Sequence, residues 1–222
     1  MKLAGHRAAL LGATAVSATA WFVPAIASVL RPIQYLNTHV HELCHALAAT
    51  ATGGEAQKIL VHSNGSGETP VLGGITLIVA SAGYVGAAAI GAVLIAFGRD
   101  EKQARALLGG ISGLLALSLL VWVRGDLAGV AWGAFWAVTL GACAIFTRGQ
   151  ASVFAVQFVG VQQCVNALLA LTTLLEVSYG TDVQSDAMNM QNASGIPAIV
   201  WAAVWAAIGL LLVVAALRRA WR

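Results

Sequence analysis

Seven apolar segments, each close to the length of a bilayer-spanning helix, constrain this chain more than any other feature. They cover residues 8–30, 33–52, 72–97, 104–123, 127–147, 151–177 and 196–217. A helix needs about 20 mostly apolar residues to cross a hydrocarbon core of about 30 Å. Of the 222 residues, 59% are hydrophobic and only 9% charged, against roughly 45–50% and 25% in soluble domains. A chain this short has no interior large enough to hide that surface from water, so lipid is its solvent. The expected fold is all-α, a polytopic transmembrane bundle of six or seven helices forming one domain over residues 1–222. No internal repeat or linker divides it.

Charge orients the bundle. The C-terminus carries Arg218, Arg219 and Arg222, the 98–105 loop carries Arg99, Lys102 and Arg105, and the 178–194 loop has neither Lys nor Arg. Basic loops stay on the cytoplasmic side, so the C-terminus is expected there and the 178–194 loop outside. Seven full crossings would put Lys2 and Arg7 outside, and six would put them inside. The conflict disappears if 33–52 enters the bundle without crossing fully. Ala25-Ile26-Ala27 resembles a signal-peptidase site. The stretch 8–30 is nevertheless long enough to span, and Pro24 is tolerable in a membrane helix, so a retained first helix is expected. The net charge of +3 comes from scattered Lys and Arg, with no basic run of the kind that binds nucleic acid. Cys44, Cys143 and Cys164 lie inside apolar segments, as small buried hydrophobes rather than a disulfide framework.

The stretch 53–71 differs in kind. Lys58-Ile59-Leu60-Val61-His62 reads as a short strand and Ser63-Asn64-Gly65-Ser66-Gly67 as a turn. A small surface β-hairpin follows, either an ordinary connection or one whose open edge accepts an extended peptide. Gly109, Gly110 and Gly113, then Gly129 and Gly133, are expected to let helix backbones approach closely.

Segment 33–52 is the exception among the apolar runs, because it carries Asn37, His39, His41, Glu42 and His45. Polar groups at membrane depth are costly and usually functional. His41 and His45 are four apart, which on a helix places both imidazoles on one face, one turn apart. Two nitrogens so placed can bind one Zn²⁺. Glu42 stands beside the first ligand, where it can take a proton from the attacking water and pass it to the leaving amine. That is the His-Glu-x-x-His logic of metalloproteases. The bland alternative is a buried polar network that only glues helices together.

The run His41-Glu-Leu-Cys-His45-Ala-Leu-Ala-Ala, followed by Thr52-Gly-Gly54, resembles the site-2-protease family of intramembrane zinc metalloproteases. It is closest to the small bacterial branch labelled peptidase-family-M-fifty-B-like. Ser81-Ala-Gly-Tyr-Val-Gly86 in the next helix, and Ser185-Asp186-Ala187 before Gly195-Ile-Pro197 and Trp201, extend the resemblance from about Asn37 to Trp205. It implies a bacterial cytoplasmic membrane and zinc held by His41, His45 and a carboxylate from a later helix. It also implies hydrolysis of a peptide bond in or near a transmembrane segment of a membrane protein, typically a single-pass one. Two positions depart from the family pattern. Cys44 stands where Gly is usual, and Asp186-Ala187 where better-studied members have Asp-Gly.

A catalytic zinc takes three protein ligands and one open position. Among the acids, Asp100 and Glu101 lie among Arg99, Lys102 and Arg105 and read as a solvated loop; Glu176 falls near a helix end; Asp182, Glu55 and Glu68 sit in polar connections. Asp186 and Asp126 remain as third ligand. Asp126 is also explained as an N-cap, and Asp186 as a loop acid unless 181–194 folds back into the bundle. His39 points away from His41 and reads as a satisfied polar residue, and His62 as exposed. Gln162, Gln163 and Asn166 either bond between helices or line the site. Two rivals to the protease are a zinc-binding regulatory membrane protein without proteolysis and a transporter. The transporter would show repeated halves or paired broken helices, and the regulator would have little use for Glu42.

Overall fold

The computed structural model describes residues 2–22, 31–178 and 185–222. Helices dominate: α1 (Lys2–Phe22), α2 (Arg31–Ala51), α3 (Thr76–Phe97), α4 (Glu101–Val121), α5 (Leu127–Phe146), α6 (Gly149–Ser178), α7 (Asp186–Ser194) and α8 (Ala198–Trp221). The all-α membrane bundle expected from hydropathy is what forms. Among the described residues α3, α4, α5, the 149–168 part of α6 and α8 are long and apolar enough to cross a bilayer. Their outer faces are bare hydrocarbon, with Leu120, Leu127, Val138, Phe146 and Leu211 all exposed, a surface that lipid and not water can cover. The protein is a multi-pass integral membrane protein. Helix α1 is described as far as Phe22; Pro24, the Ala25-Ile26-Ala27 site and Asp182 lie outside the described residues.

One end of the bundle collects most of the positive charge. Arg7 donates to the Trp221 carbonyl and lies over its ring, Arg219 lies over Phe97, and Gly5 faces Gln150. Arg105 donates to the Ala144 and Ile145 carbonyls. The start of α1, the α3–α4 and α5–α6 turns and the last turn of α8 therefore share a face. Arg7, Arg99, Lys102, Arg105, Arg148, Arg218, Arg219 and Arg222 gather there, eight of the 12 basic residues. Helix α2 does not reach this end. Its first turn lies beside the middle of α5, where Trp136 Nε1 donates to the Pro32 carbonyl at 2.7 Å. The first described turn of α1 and the last turn of α8 thus lie at one end of the bundle, and the described part of α2 starts beside its middle.

The hairpin is larger than the sequence indicates. Strands β1 (Glu55–Ala56) and β4 (Val71–Leu72) pair at its base, and β2 (Leu60–Val61) and β3 (Gly67–Glu68) near its tip, both antiparallel. It folds down along α2, with the Thr38 hydroxyl donating to the Gly65 carbonyl at 2.7 Å. The Thr52-Gly53-Gly54 run makes that return possible. Gly53 takes φ 79°, where glycine ends helices without a Cβ penalty, and a Cβ on Gly54 would meet the backbone of Gly73 and Gly74. Ile59 also bonds the backbone of Trp122 and Arg124, which closes one edge of the hairpin.

Close helix approach occurs, but not at every glycine singled out by spacing. Gly129 and Gly133 do meet neighbours, Val61 and His39, whereas Gly110 and Gly113 have nothing within 4 Å and face outward. The tight crossing is instead between α3 and α6 at Gly91 and Gly160, where a Cβ on Gly91 would stand 2.7 Å from the Gly160 carbonyl and from Cys164 Sγ. Overpacking of this kind costs about 1–3 kcal/mol. Gly91→Val is therefore expected to lower the thermal midpoint in detergent, and Gly110→Ala to leave it unchanged or raise it.

Candidate metal centre

Three elements converge near the opposite end of α3. Helix α2 supplies His41 and His45 from successive turns. Its apolar flank (Leu36, Val40, Leu43, Ala46 and Ala49, all buried) seats it in the bundle and points the polar face at α3. Helix α7 supplies Asp186. Ser185 caps it by accepting from the Met188 N–H, and Asp186 occupies the first turn, where the helix dipole favours an acid. Gly195 in the left-handed conformation closes it, and Gln191 Oε1 then accepts from the Ala198 N–H to start α8. Ala187 and Met190 pack against Ala80 and Trp205, which holds the short helix on the bundle.

The result is a triangle of potential ligand atoms. His41 Nε2 and His45 Nε2 are 3.1 Å apart, and Asp186 Oδ2 is 3.2 Å from each. These residues can hold one metal ion. A tetrahedral ion with bonds of about 2.0–2.1 Å keeps its ligand atoms about 3.3–3.4 Å apart, close to the observed edges. The outer contacts agree. His45 Nδ1–H donates to the Val79 carbonyl at 2.7 Å, so in the neutral ring the Nε2 lone pair is turned to the other two atoms. That is the second-shell arrangement that orients histidine ligands. The His41 ring is held by its edge-on contact with Tyr84, at 4.7 Å between centroids, and Tyr84 stacks on Trp205. The Trp205 indole donates to Ser81 Oγ at 2.9 Å.

The Ser81-Ala-Gly-Tyr-Val-Gly86 run thus has a physical reading. Ser81 and Tyr84 anchor the aromatic stack. A Cβ on Gly83 would fall on the Nε2 atoms of both His41 and His45, and one on Gly86 would meet Cys44 Sγ. Cys44 is buried and fills the space that Gly86 leaves.

Glu42 is 5% exposed and lies under the hairpin. The Thr69 hydroxyl donates to Glu42 Oε2 at 2.7 Å, and Gly67 leaves the room its side chain needs. Spacing within α2 does not point to Thr69, and its only trace in the sequence is its place in the polar stretch after the motif. On the open side, His41 and Asp186 keep 17% and 20% of their side chains exposed.

The remaining candidates are elsewhere. Asp126 caps α5 by accepting from the Ala128 N–H, and its other oxygen accepts from the Ser63 N–H at 3.0 Å, which ties the hairpin to α5 and leaves Asp126 outside the His41–His45–Asp186 group. Asp100 caps α4, and Glu101 accepts from the Gly149 N–H. The His39 ring is buried and donates to the Gly129 carbonyl at 2.9 Å. His62 is half-exposed and 3.8 Å from Glu68. Gln163 Nε2 donates to Asn37 Oδ1 at 2.8 Å, an interhelical bond.

A membrane bundle that presents His-His-Asp beside a buried glutamate defines a metallohydrolase-type site. The chain belongs to the Peptidase M50B-like family, whose model matches residues 12–216, and so to the metalloproteases of the site-2-protease type. Comparison with curated proteins and with solved structures gave no match.

The Gly83 contact gives a direct test of the centre. Gly83→Ala is expected to weaken divalent-metal retention about tenfold or more, read by chelator competition, while Gly110→Ala leaves it unchanged. Equal retention in the two variants would mean that the His pair does not hold the metal.

Proposed function

We propose that this protein is an intramembrane zinc endopeptidase that cleaves a peptide bond in or near a transmembrane segment of a membrane-protein substrate. The observation that carries the reading is the His41–His45–Asp186 triangle with Glu42 buried one residue from its first member. In this reading His41, His45 and Asp186 are the zinc ligands. When bound, the ion supplies a Lewis acid for the scissile carbonyl and lowers the pKa of the attacking water. Glu42 takes that water's proton and delivers it to the leaving amine. Thr69 holds the carboxylate in one orientation. The Val79 carbonyl and Tyr84 hold the two imidazoles.

The hairpin is suited to present the substrate. One of its edges is closed by Ile59 against Trp122 and Arg124. The other, along residues 67–69, has no strand beside it among the described residues and runs past Glu42. An extended peptide added there gains main-chain hydrogen bonds and brings its carbonyl towards the His pair. A helical segment has its backbone groups already paired, so the substrate unwinds locally to be cut. A purely metal-binding regulator has no use for Glu42, nor for the hydroxyl that orients it. With the basic end cytoplasmic, as loop charge indicates, the centre lies nearer the external face.

Metal content of the purified protein tests the ligand set. About one zinc per chain is expected, lost in His41→Ala, lowered in Asp186→Ala and kept in Asp126→Ala. Metal indifferent to His41 would sink the reading. Glu42→Gln is expected to keep the zinc and to lose hydrolysis by about 10²–10⁴-fold. Removing a hydrogen bond to a charged group costs about 1.5–3 kcal/mol, so Thr69→Val is expected to lower kcat/KM about 10- to 100-fold with zinc retained, and Thr69→Ser to restore it.

A further inference from the structure

A cavity of about 840 Å³ opens at the basic end of the bundle, where α4 and α6 begin and α5 ends. Its position at the end of four membrane-length helices is the headgroup level of a bilayer. From Gly83 to Phe97 the α3 axis rises about 21 Å, so this cavity is remote from the metal centre.

Arg99, Lys102 and Arg105 line it beside Asp100 and Glu101. The two carboxylates are already engaged. Asp100 accepts from the Gln103 N–H at 2.9 Å as the cap of α4. Glu101 accepts from the Gly149 N–H at 2.8 Å and lies 3.5 Å from Arg105 and 4.0 Å from Arg148. The Arg105 guanidinium is committed to the Ala144 and Ile145 carbonyls that end α5. Arg99 and Lys102, by contrast, make no ion pair and no side-chain hydrogen bond among the described residues. Two unmatched cations therefore face one cavity. Its wall is not polar throughout, since Ala106, Ala144 and Val153 line it as well.

A ligand that satisfies both features carries a compact anion joined to hydrocarbon. We propose that this cavity binds the headgroup phosphate of an anionic phospholipid, with Arg99 and Lys102 on the phosphate and the apolar part of the lipid against Ala106 and Ala144. A free phosphate would match the cations and leave the apolar wall wet. A zwitterionic lipid would bring its own cation to a site that already has two.

The test uses the full chain in a zwitterionic detergent, mixed with equal amounts of phosphatidylglycerol and phosphatidylcholine and read by native mass spectrometry. Two basic residues near a membrane surface favour an anionic lipid by about ten- to thirtyfold, and retention of phosphatidylglycerol in that range is expected. The preference should fall to near parity in Arg99→Gln with Lys102→Gln and stay intact in Lys58→Gln, an exposed charge at the far end. Lys102→Gln alone, at an exposed position that cannot unseat the fold, should give an intermediate value. Equal retention of the two lipids in wild-type protein, or a preference unchanged in the double variant, would overturn the proposal. So would displacement of the lipid by inorganic phosphate at equal concentration, which would identify a plain anion site.

Discussion

Two imidazole nitrogens and one carboxylate oxygen meet within 3.2 Å of one another inside a bundle whose exterior is hydrocarbon. Three such lone-pair donors do not crowd together at low dielectric without a proton or a cation between them. Much of the architecture follows from keeping them there. The four-residue spacing on α2 sets the first two atoms one turn apart. The Val79 carbonyl turns one ring and Tyr84 backs the other. A nine-residue helix, capped at both ends, delivers the carboxylate from a part of the chain 145 positions away.

Absent side chains matter as much as those present. Gly83 leaves the volume in which the His pair converges, Gly67 the volume for Glu42, and Gly54 the volume for the hairpin's return. Each removes one Cβ where two backbones or a backbone and a functional group approach closely. The hairpin is then more than a connection. It lies along α2, is pinned to α5 through Asp126 and Ser63, and lays Thr69 on the acid beside the ligands.

The long helices were legible because apolar length is a one-dimensional property, and the His-Glu-x-x-His pair because i and i+4 share a helix face. The strand at 58–62 and the turn after it were legible from local composition, but β1 and β4 were not, since two-residue strands carry no periodicity. Helix α7 was hidden for a similar reason. It is short, amide-rich and held by Ala187 and Met190 against distant partners, so nothing in its own composition places Asp186 beside α2. Sequence left Asp186 and Asp126 side by side as candidates, because Asp126 reads as a helix cap and Asp186 as a loop acid; only the fold brings Asp186 to the His pair. The contact of Gly91 with Gly160 and the bond from Thr69 to Glu42 join residues 69 and 27 positions apart, and pairing of that kind leaves no mark in a single sequence.

The junction of α1 with the last turn of α8 bears on how the chain is assembled. Leu10 and Ala13 share a core cluster with Ala216 and Ala220, and the Arg7 guanidinium rests on Trp221. Helix α1 packs chiefly along α6 and meets α8 only at this corner, so its inner face is completed by segments that lie far later in the chain. Until α6 and α8 are in place that face has lipid for a neighbour, so the bundle closes like a ring whose clasp joins residues 214 positions apart. Insertion proceeds helix by helix, but this flank cannot mature in the same vectorial order.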